Sequence, residues 1–424
     1  MNPGLPAPCT QQFLNRPPFI GFVPALEKQP AIRAVMPLGK CTYAVRARES
    51  LFSGPRESPV THNEPLRINT IFLTTQTKAI TFVVHHINII FARLYNYTMD
   101  EKKMIDSTAS FEQKTKNNAN KIANKKFLDA TQYLSQPNVL RSESNKKGYL
   151  FFRSLLPREE LLSLRRQIFQ ILYRRNLLEP SSDMIDGLAN INAISQLAPE
   201  TFRGNGFPLD IYLEIQKLEL FQTIGHDPAL IDVFRHLFEA EPFLHPKTIA
   251  RVVMPHVEVH TTPPHQDFIY IQGAVQTWTA WFPLGDCPRN LGPLSVLEGS
   301  HELGILGVSP QFGAGGLESV LCDLDLDWAE IDFNIGDVLI FNSRTVHKAL
   351  PNTIPSQIRL SCDFRYQSTN DIIDPKSLEP HGPWSWDEIY SGYLNDRLKF
   401  YWRKHAFEFS TWDNSLLKTG PKLC

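Results

Sequence analysis

Ile358-Arg359-Leu360-Ser361-Cys362-Asp363-Phe364-Arg365 alternates apolar and polar residues at every step. A period of two is that of a β-strand, so Ile358, Leu360, Cys362 and Phe364 share one face, and Arg359, Ser361, Asp363 and Arg365 the other. A core strand with one wholly polar face is costly unless that face lines a wet or liganded cavity. Similar short runs, broken by Pro and Gly, occur at Ile249 to Met254, Gln276 to Phe282, Leu294 to Leu297 and Val338 to Phe341. Strands this short without long helices between them point to an antiparallel sandwich or barrel. Before Thr248 the period is mostly helical. A strand at Tyr149 to Phe152 is followed by Pro157-Arg158-Glu159-Glu160, which opens a helix with Pro and acids in its first turn, running to about Arg175. Two more helical zones cover Pro208 to Leu220 and Asp227 to Glu239. The fold class expected is mainly β with flanking helices.

The chemistry falls inside the strand-rich half. Pro263-Pro264-His265-Gln266-Asp267 sets an imidazole and a carboxylate two residues apart, on one face of an extended chain. His347 follows the strand Val338 to Phe341. Two histidines and one carboxylate make a facial triad, which leaves three positions of an octahedral ferrous ion open for cosubstrate and dioxygen. Arg359, across a hairpin from His347, can return to the metal end and offer a guanidinium fork to a dicarboxylate that chelates iron at its other end. His256, Glu258 and His260 alternate on one strand face and form a second candidate ligand set, read more simply as a solvated strand face. His301, in Gly299-Ser300-His301, is expected to orient a loop.

Several of these stretches resemble a known family. The run with His265 and Asp267, Trp278-Thr279-Ala280-Trp281, Gly292 to Val296, Glu298 to His301, Gly336-Asp337, His347 and Arg359 to Tyr366 is similar to the phytanoyl-CoA dioxygenase family of iron(II)- and 2-oxoglutarate-dependent oxygenases, as is the strand and Leu-rich helix at Gly148 to Arg175. The resemblance spans roughly 145–375. It implies a double-stranded β-helix, a cupin-like jelly roll, in which His265, Asp267 and His347 bind iron and form the catalytic centre while Arg359 holds the far carboxylate of 2-oxoglutarate. By position, Gln266 and Trp281 line the cosubstrate and substrate pocket, to which Arg365, Asp363 and Trp278 are added as candidates. Ala349 stands where the family often has a small hydroxylated residue, and Ser361 or Arg365 is expected to compensate. The activity implied is hydroxylation of a small organic or acyl substrate, with 2-oxoglutarate and dioxygen giving succinate and carbon dioxide. Asp267 fills the position a halide would need, which favours hydroxylation over halogenation. Two other readings stand beside it: a non-catalytic jelly-roll metal-binding or sensor module, for which a missing ligand would have argued, and a cupin dioxygenase or isomerase without 2-oxoglutarate, for which Arg359 has no use.

Composition bounds the remainder. Lys plus Arg (43) nearly equal Asp plus Glu (44), so no global field for a polyanion exists and no nucleic-acid partner is expected. Six cysteines without a Cys-x-x-Cys pair read as idle thiols in a reducing, cytoplasmic setting, and no apolar run is long enough for a membrane span. Residues 1–98 contain no Asp, four Glu, ten Lys or Arg and eleven Pro, a charge of +6, and all seven Trp lie from Trp278 onward. That segment reads as a low-order extension: translation from too early a start with Met99 as the natural one, a targeting segment, or a disordered arm. A polar lead-in is expected over 99–147, the oxygenase domain over 148–412, and a tail over 413–424. Asn96-Tyr97-Thr98 is a glycosylation sequon by chance. A C-terminal helix from Asp387 to His405 is expected to carry the aromatic-rich tail, either packed over the outer sheet or forming a pocket wall or dimer contact. Segments Asn190 to Pro208 and Ser309 to Glu318 are expected to cover the barrel mouth and set specificity. The oligomeric state is not legible.

Overall fold

The computed structural model describes residues 125–197, 207–255, 261–311, 313–321 and 324–419. The extension over 1–98, most of the lead-in, and the candidates His256, Glu258, His260 and Asn96 lie outside the described residues. In chain order the main helices are α1 (Pro137–Lys147), α2 (Arg158–Arg174), α3 (Leu209–Gln216), α4 (Pro228–Phe238) and α5 (Phe268–Ile271). The strands are β1 (Tyr149–Phe152), β2 (Pro242–Leu244), β3 (Ile249–Val253), β4 (Trp278–Pro283), β5 (Leu294–Leu297), β6 (Val308–Pro310), β7 (Leu317–Ser319), β8 (Trp328–Ala329), β9 (Val338–Asn342), β10 (His347–Ala349) and β11 (Arg359–Ser368). All ladders are antiparallel. The larger sheet runs β1-β9-β4-β11-β2, with β3 also paired to β11; a smaller one runs β10-β5-β8; β6 and β7 form a hairpin. This is the mainly β, jelly-roll class expected.

Period two sorts the side chains into separate cores. Leu150 and Phe152 of β1, Trp278, Ala280 and Phe282 of β4, Val338 and Ile340 of β9, and Leu360, Cys362, Phe364 and Tyr366 of β11 pack with α2, α3 and α4 in one cluster. Their neighbours one residue along, Tyr149, Phe151, Trp281, Leu339 and Phe341, join Leu294 and Val296 of the smaller sheet in a second cluster. The helix layer is fixed by specific aromatic contacts. Phe364 stacks on Phe282 within the sheet with centroids 5.6 Å apart, and Tyr366 reaches the helix layer by stacking on Phe234 at 3.9 Å while its hydroxyl donates to the Gly225 carbonyl. Trp278 therefore faces the helices, three residues and so one face away from Trp281. It does not line the cavity described below.

Two expectations change here. Residues 125–147 are not an idle lead-in: Phe127 is buried against Tyr149 and Phe151, Ala130 donates to the Phe151 carbonyl, and α1 starts on Pro137 and buries Leu140. Gly148 ends α1 at φ +76°, where a Cβ would run into the His301 ring and the Thr345 hydroxyl. The C-terminal helix is also absent. Only Trp386–Ile389 is α-helical, followed by 3-10 turns at Tyr390–Gly392 and Tyr401–Lys404. Ser391-Gly392 and Asn395-Asp396 favour turns over a helix interior. The aromatics also pack as a compact knot around Phe243 and Ile373 rather than along a stripe. That knot supplies no residue to the cavity described below.

Candidate metal and cosubstrate site

Backbone pairing brings the two histidines together. His265 donates its N–H to the His347 carbonyl at 2.9 Å, and His347 returns the bond at 3.0 Å. Side chains of such a pair leave the ladder on the same face, and the rings lie 4.2 Å apart. Each ring spends its Nδ1 on a carbonyl two residues earlier, Pro263 at 2.8 Å and Thr345 at 3.1 Å. With Nδ1 protonated, both Nε2 lone pairs face inward. They sit 3.7 Å and 3.9 Å from Asp267 Oδ1, and one ligand atom from each of His265, Asp267 and His347 falls within 4.8 Å of the others.

Asp267 divides its two oxygens. Oδ2 accepts from the Thr279 hydroxyl at 2.7 Å and from Arg365 at 3.5 Å, leaving Oδ1 turned to the histidines. Burial alone would raise the carboxyl pKa, but Arg365 and the two imidazoles outweigh it and hold the group well below the ordinary carboxylate range. Burial pushes His347 down to about 3, with His265 adding to the shift, so its imidazole stands neutral with a free lone pair.

These groups open on a small cavity lined by Arg251, Thr262, Thr279, Trp281, Leu294, Phe341, Ala349, Arg359 and Asp363 beside the three candidate ligands. Arg359 begins β11, lies 5.8 Å from the Trp281 ring centroid and donates Nη1 to the Gly292 carbonyl at 2.6 Å. Gly292, at φ +85°, has no room for a Cβ beside the Leu350 carbonyl, and that close turn is what presents its own oxygen to Arg359. Arg359 Nε is buried without a partner.

Of the residues singled out in the sequence, His265, Asp267, His347, Arg359, Trp281 and Asp363 meet at this cavity. Gln266 does not. One residue from both His265 and Asp267, it points the other way, donating to the Gly304 and Arg344 carbonyls and accepting from the Leu306 N–H. Arg365 serves Asp267 rather than lining the cavity. Ser361 is buried with an unpartnered hydroxyl and is not a lining residue either. His301 orients a loop through the Asn145 carbonyl at 2.9 Å. Thr279 and Arg251 were not singled out. Thr279 lies directly opposite Arg365 in the ladder and shares a face with Trp281 by period two, and Arg251 is the one charge in the apolar run Ile249 to Met254.

Thr279→Val should weaken iron(II) binding about tenfold while Thr279→Ser restores most of it, because the hydroxyl fixes which carboxylate oxygen faces the histidines. An anaerobic iron(II) titration measures this. Equal affinity in wild type and the Val variant would leave Asp267 oriented by Arg365 alone.

A family model for phytanoyl-CoA dioxygenase (PhyH) matches residues 144–360, half of the chain. The chain belongs to the phytanoyl-CoA dioxygenase family. It is accordingly an iron(II)- and 2-oxoglutarate-dependent oxygenase. Among curated proteins this family member is similar to the 1-deoxypentalenic acid 11-beta-hydroxylases of Streptomyces arenae and Streptomyces exfoliatus. Each is 25% identical over 60% of this chain and 89% of the relative. Among solved structures it is similar to the epimerase SnoN in complex with Fe3+, alpha ketoglutarate and nogalamycin RO. That likeness has 18% identity and a TM-score of 0.40, over 57% of this chain and 87% of that one. No helix among the described residues is long and apolar enough to cross a membrane.

Proposed function

We propose that His265, Asp267 and His347 are the iron(II) ligands of this oxygenase, that Arg359 holds the far carboxylate of 2-oxoglutarate, and that the reaction is hydroxylation of a small organic or acyl substrate. The observation that carries this is the convergence of two inward-facing Nε2 atoms and one carboxylate oxygen beside a buried arginine whose Nε has no partner. The donor set suits a ferrous ion, and the orphaned guanidinium nitrogen suits an anion.

When bound, iron(II) and 2-oxoglutarate supply the oxidising chemistry, passing one atom of dioxygen to an unactivated carbon as 2-oxoglutarate becomes succinate and carbon dioxide. The chain's own contribution is positional. The Nδ1 bonds to Pro263 and Thr345 keep both imidazoles aimed, and Thr279 and Arg365 keep Asp267 Oδ1 turned inward. Trp281, Leu294 and Phe341 keep the cavity wall apolar and exclude water. The presence of Asp267 favours hydroxylation over halogenation. The two Streptomyces relatives are named as hydroxylases, which supports hydroxylation as the reaction. The oxygenase unit includes 125–147 as well as 148–412, with 1–98 an extension to it. The free, buried Cys287 and Cys362 fit a cytoplasmic setting.

The test is anaerobic binding of iron(II) followed by 2-oxoglutarate, then a screen for succinate release across acyl-CoA, amino-acid and natural-product candidates. Tight binding of both with substrate-stimulated succinate is expected. Binding of iron without any effect of 2-oxoglutarate would favour the metal-binding module.

A further inference from the structure

The cavity carries more positive charge than its proposed contents neutralise. Arg251, Arg359 and Asp363 line it, as does Asp267, and Arg365 reaches Asp267 from behind: three buried or half-buried guanidiniums against two carboxylates. Iron(II) and the 2-oxoglutarate dianion carry equal and opposite charge, and ligating imidazoles carry none, so one positive charge remains after both have bound. An uncompensated charge away from water is costly, and the folded protein keeps it only if something else completes it.

The arginines are not equally committed. Arg365 is spent on Asp267, and Arg359 is turned to the Gly292 carbonyl over Trp281. Arg251 sits on β3 opposite Ser361, with its Nε bonded to Asp363 Oδ2 at 3.0 Å. That single bond fixes the guanidinium plane and leaves its terminal Nη nitrogens without an acceptor among the described residues. Asp363 Oδ1 is buried and unpartnered. The surrounding field is positive too. The buried His381 ring is held well below its ordinary pKa by burial first, then by Arg251, Arg365 and Lys247. The other walls, Leu294, Phe341 and Trp281, are apolar.

We propose that Arg251, held in place by Asp363, is the anchor for a single carboxylate on an otherwise apolar substrate. The substrate class is then a small monocarboxylic acid. This deepens the reading of the iron site, on which it rests for the position of the reacting carbon.

The test is calorimetric titration of octanoate and of cyclohexanecarboxylate, each beside its primary amide. The titrand is the full chain loaded anaerobically with iron(II) and 2-oxoglutarate, and in parallel the metal-free chain, whose lining has the same surplus charge. Wild type is expected to bind at least one acid about tenfold or more tighter than its amide. In R251Q the preference disappears, in R251K it is partly kept, and in D363N it is kept or strengthened because a competing anion has gone. If R251Q does not fold, the double variant R251Q/D363N removes both buried charges together and carries the same expectation. Equal binding of acids and amides by wild type, or a preference that survives in R251Q or the double variant, overturns the proposal. Iron(II) titration of the same samples separates the two readings. Wild type that fails to bind iron would sink the metal site, while acid preference in the metal-free chain still decides the anchor.

Discussion

Replacing His265, Asp267 and His347 together by alanine yields a protein that has lost iron(II) binding and all substrate-stimulated succinate formation. The two histidines contribute little else to the fold. Their Nδ1 bonds go to carbonyls two residues away, and the backbone pairing between 265 and 347 does not need the side chains. His265→Ala and His347→Ala should therefore each lower iron affinity more than about a hundredfold, beyond the ten- to hundredfold usual for outer-shell partners, with a melting temperature near that of wild type. Asp267→Ala differs. It strands the Arg365 guanidinium and the Thr279 hydroxyl in a buried site, and losing one partner of such a contact costs about 3 kcal/mol. Its melting temperature should fall with its iron affinity, whereas Asp267→Asn spares more of the fold and loses the metal all the same. Anaerobic iron(II) titration and thermal melting of the five variants beside wild type measure both effects. A triple variant that binds ferrous iron as tightly as wild type would move the metal to another place.

The alternation at 358–365 made the architecture legible, because a strand with two chemically distinct faces has to separate two environments. The structure places the helices on the apolar face and the cavity on the polar one. Period two alone would have removed Trp278 and Gln266 from the pocket. Trp278 is three residues from Trp281, and Gln266 is one from both His265 and Asp267, so both point away. The resemblance carried Gln266 in by position and Trp278 was added beside it as a candidate, and the geometry turns both away from the cavity. Thr279 was readable by the same rule, two residues before Trp281. Arg251 was not, since only the register of β3 against β11 brings it to Asp363. The helix expected over Asp387 to His405 failed for a tertiary reason. Its aromatics find one another across tight turns, with Tyr390 edge-on to Phe400 and Trp386 stacked on Tyr390, and that burial outweighs helical propensity. Low-order composition likewise hid Phe127, one aromatic in a Lys- and Asn-rich stretch whose partners lie on β1.

Arg359→Ala should raise the KM for 2-oxoglutarate by about two orders of magnitude, a loss of roughly 3 kcal/mol for a charge-assisted, two-pronged contact in a sheltered pocket. The guanidinium is nearly fully buried, its Nε is unpartnered, and its one hydrogen bond, to the Gly292 carbonyl, fixes the fork without using it up. Truncation removes an arginine tied to no carboxylate among the described residues, whereas Arg251 pairs with Asp363 and Arg365 with Asp267. Neither can move across without abandoning a buried acid, so substitution by a neighbour is not expected. Arg359→Lys keeps the charge but lacks the planar fork, and its KM should fall between the two. Iron(II) affinity measured without 2-oxoglutarate should match wild type in both variants, because Arg359 has no hydrogen bond or ion pair with any of the three candidate ligands. That split between metal and cosubstrate is what distinguishes a clamp from a general packing defect. If 2-oxoglutarate dependence is unchanged in Arg359→Ala, the far carboxylate is held elsewhere and the partnerless Nε has some other occupant. If iron affinity falls in step with 2-oxoglutarate affinity, Arg359 acts by shaping the cavity as a whole.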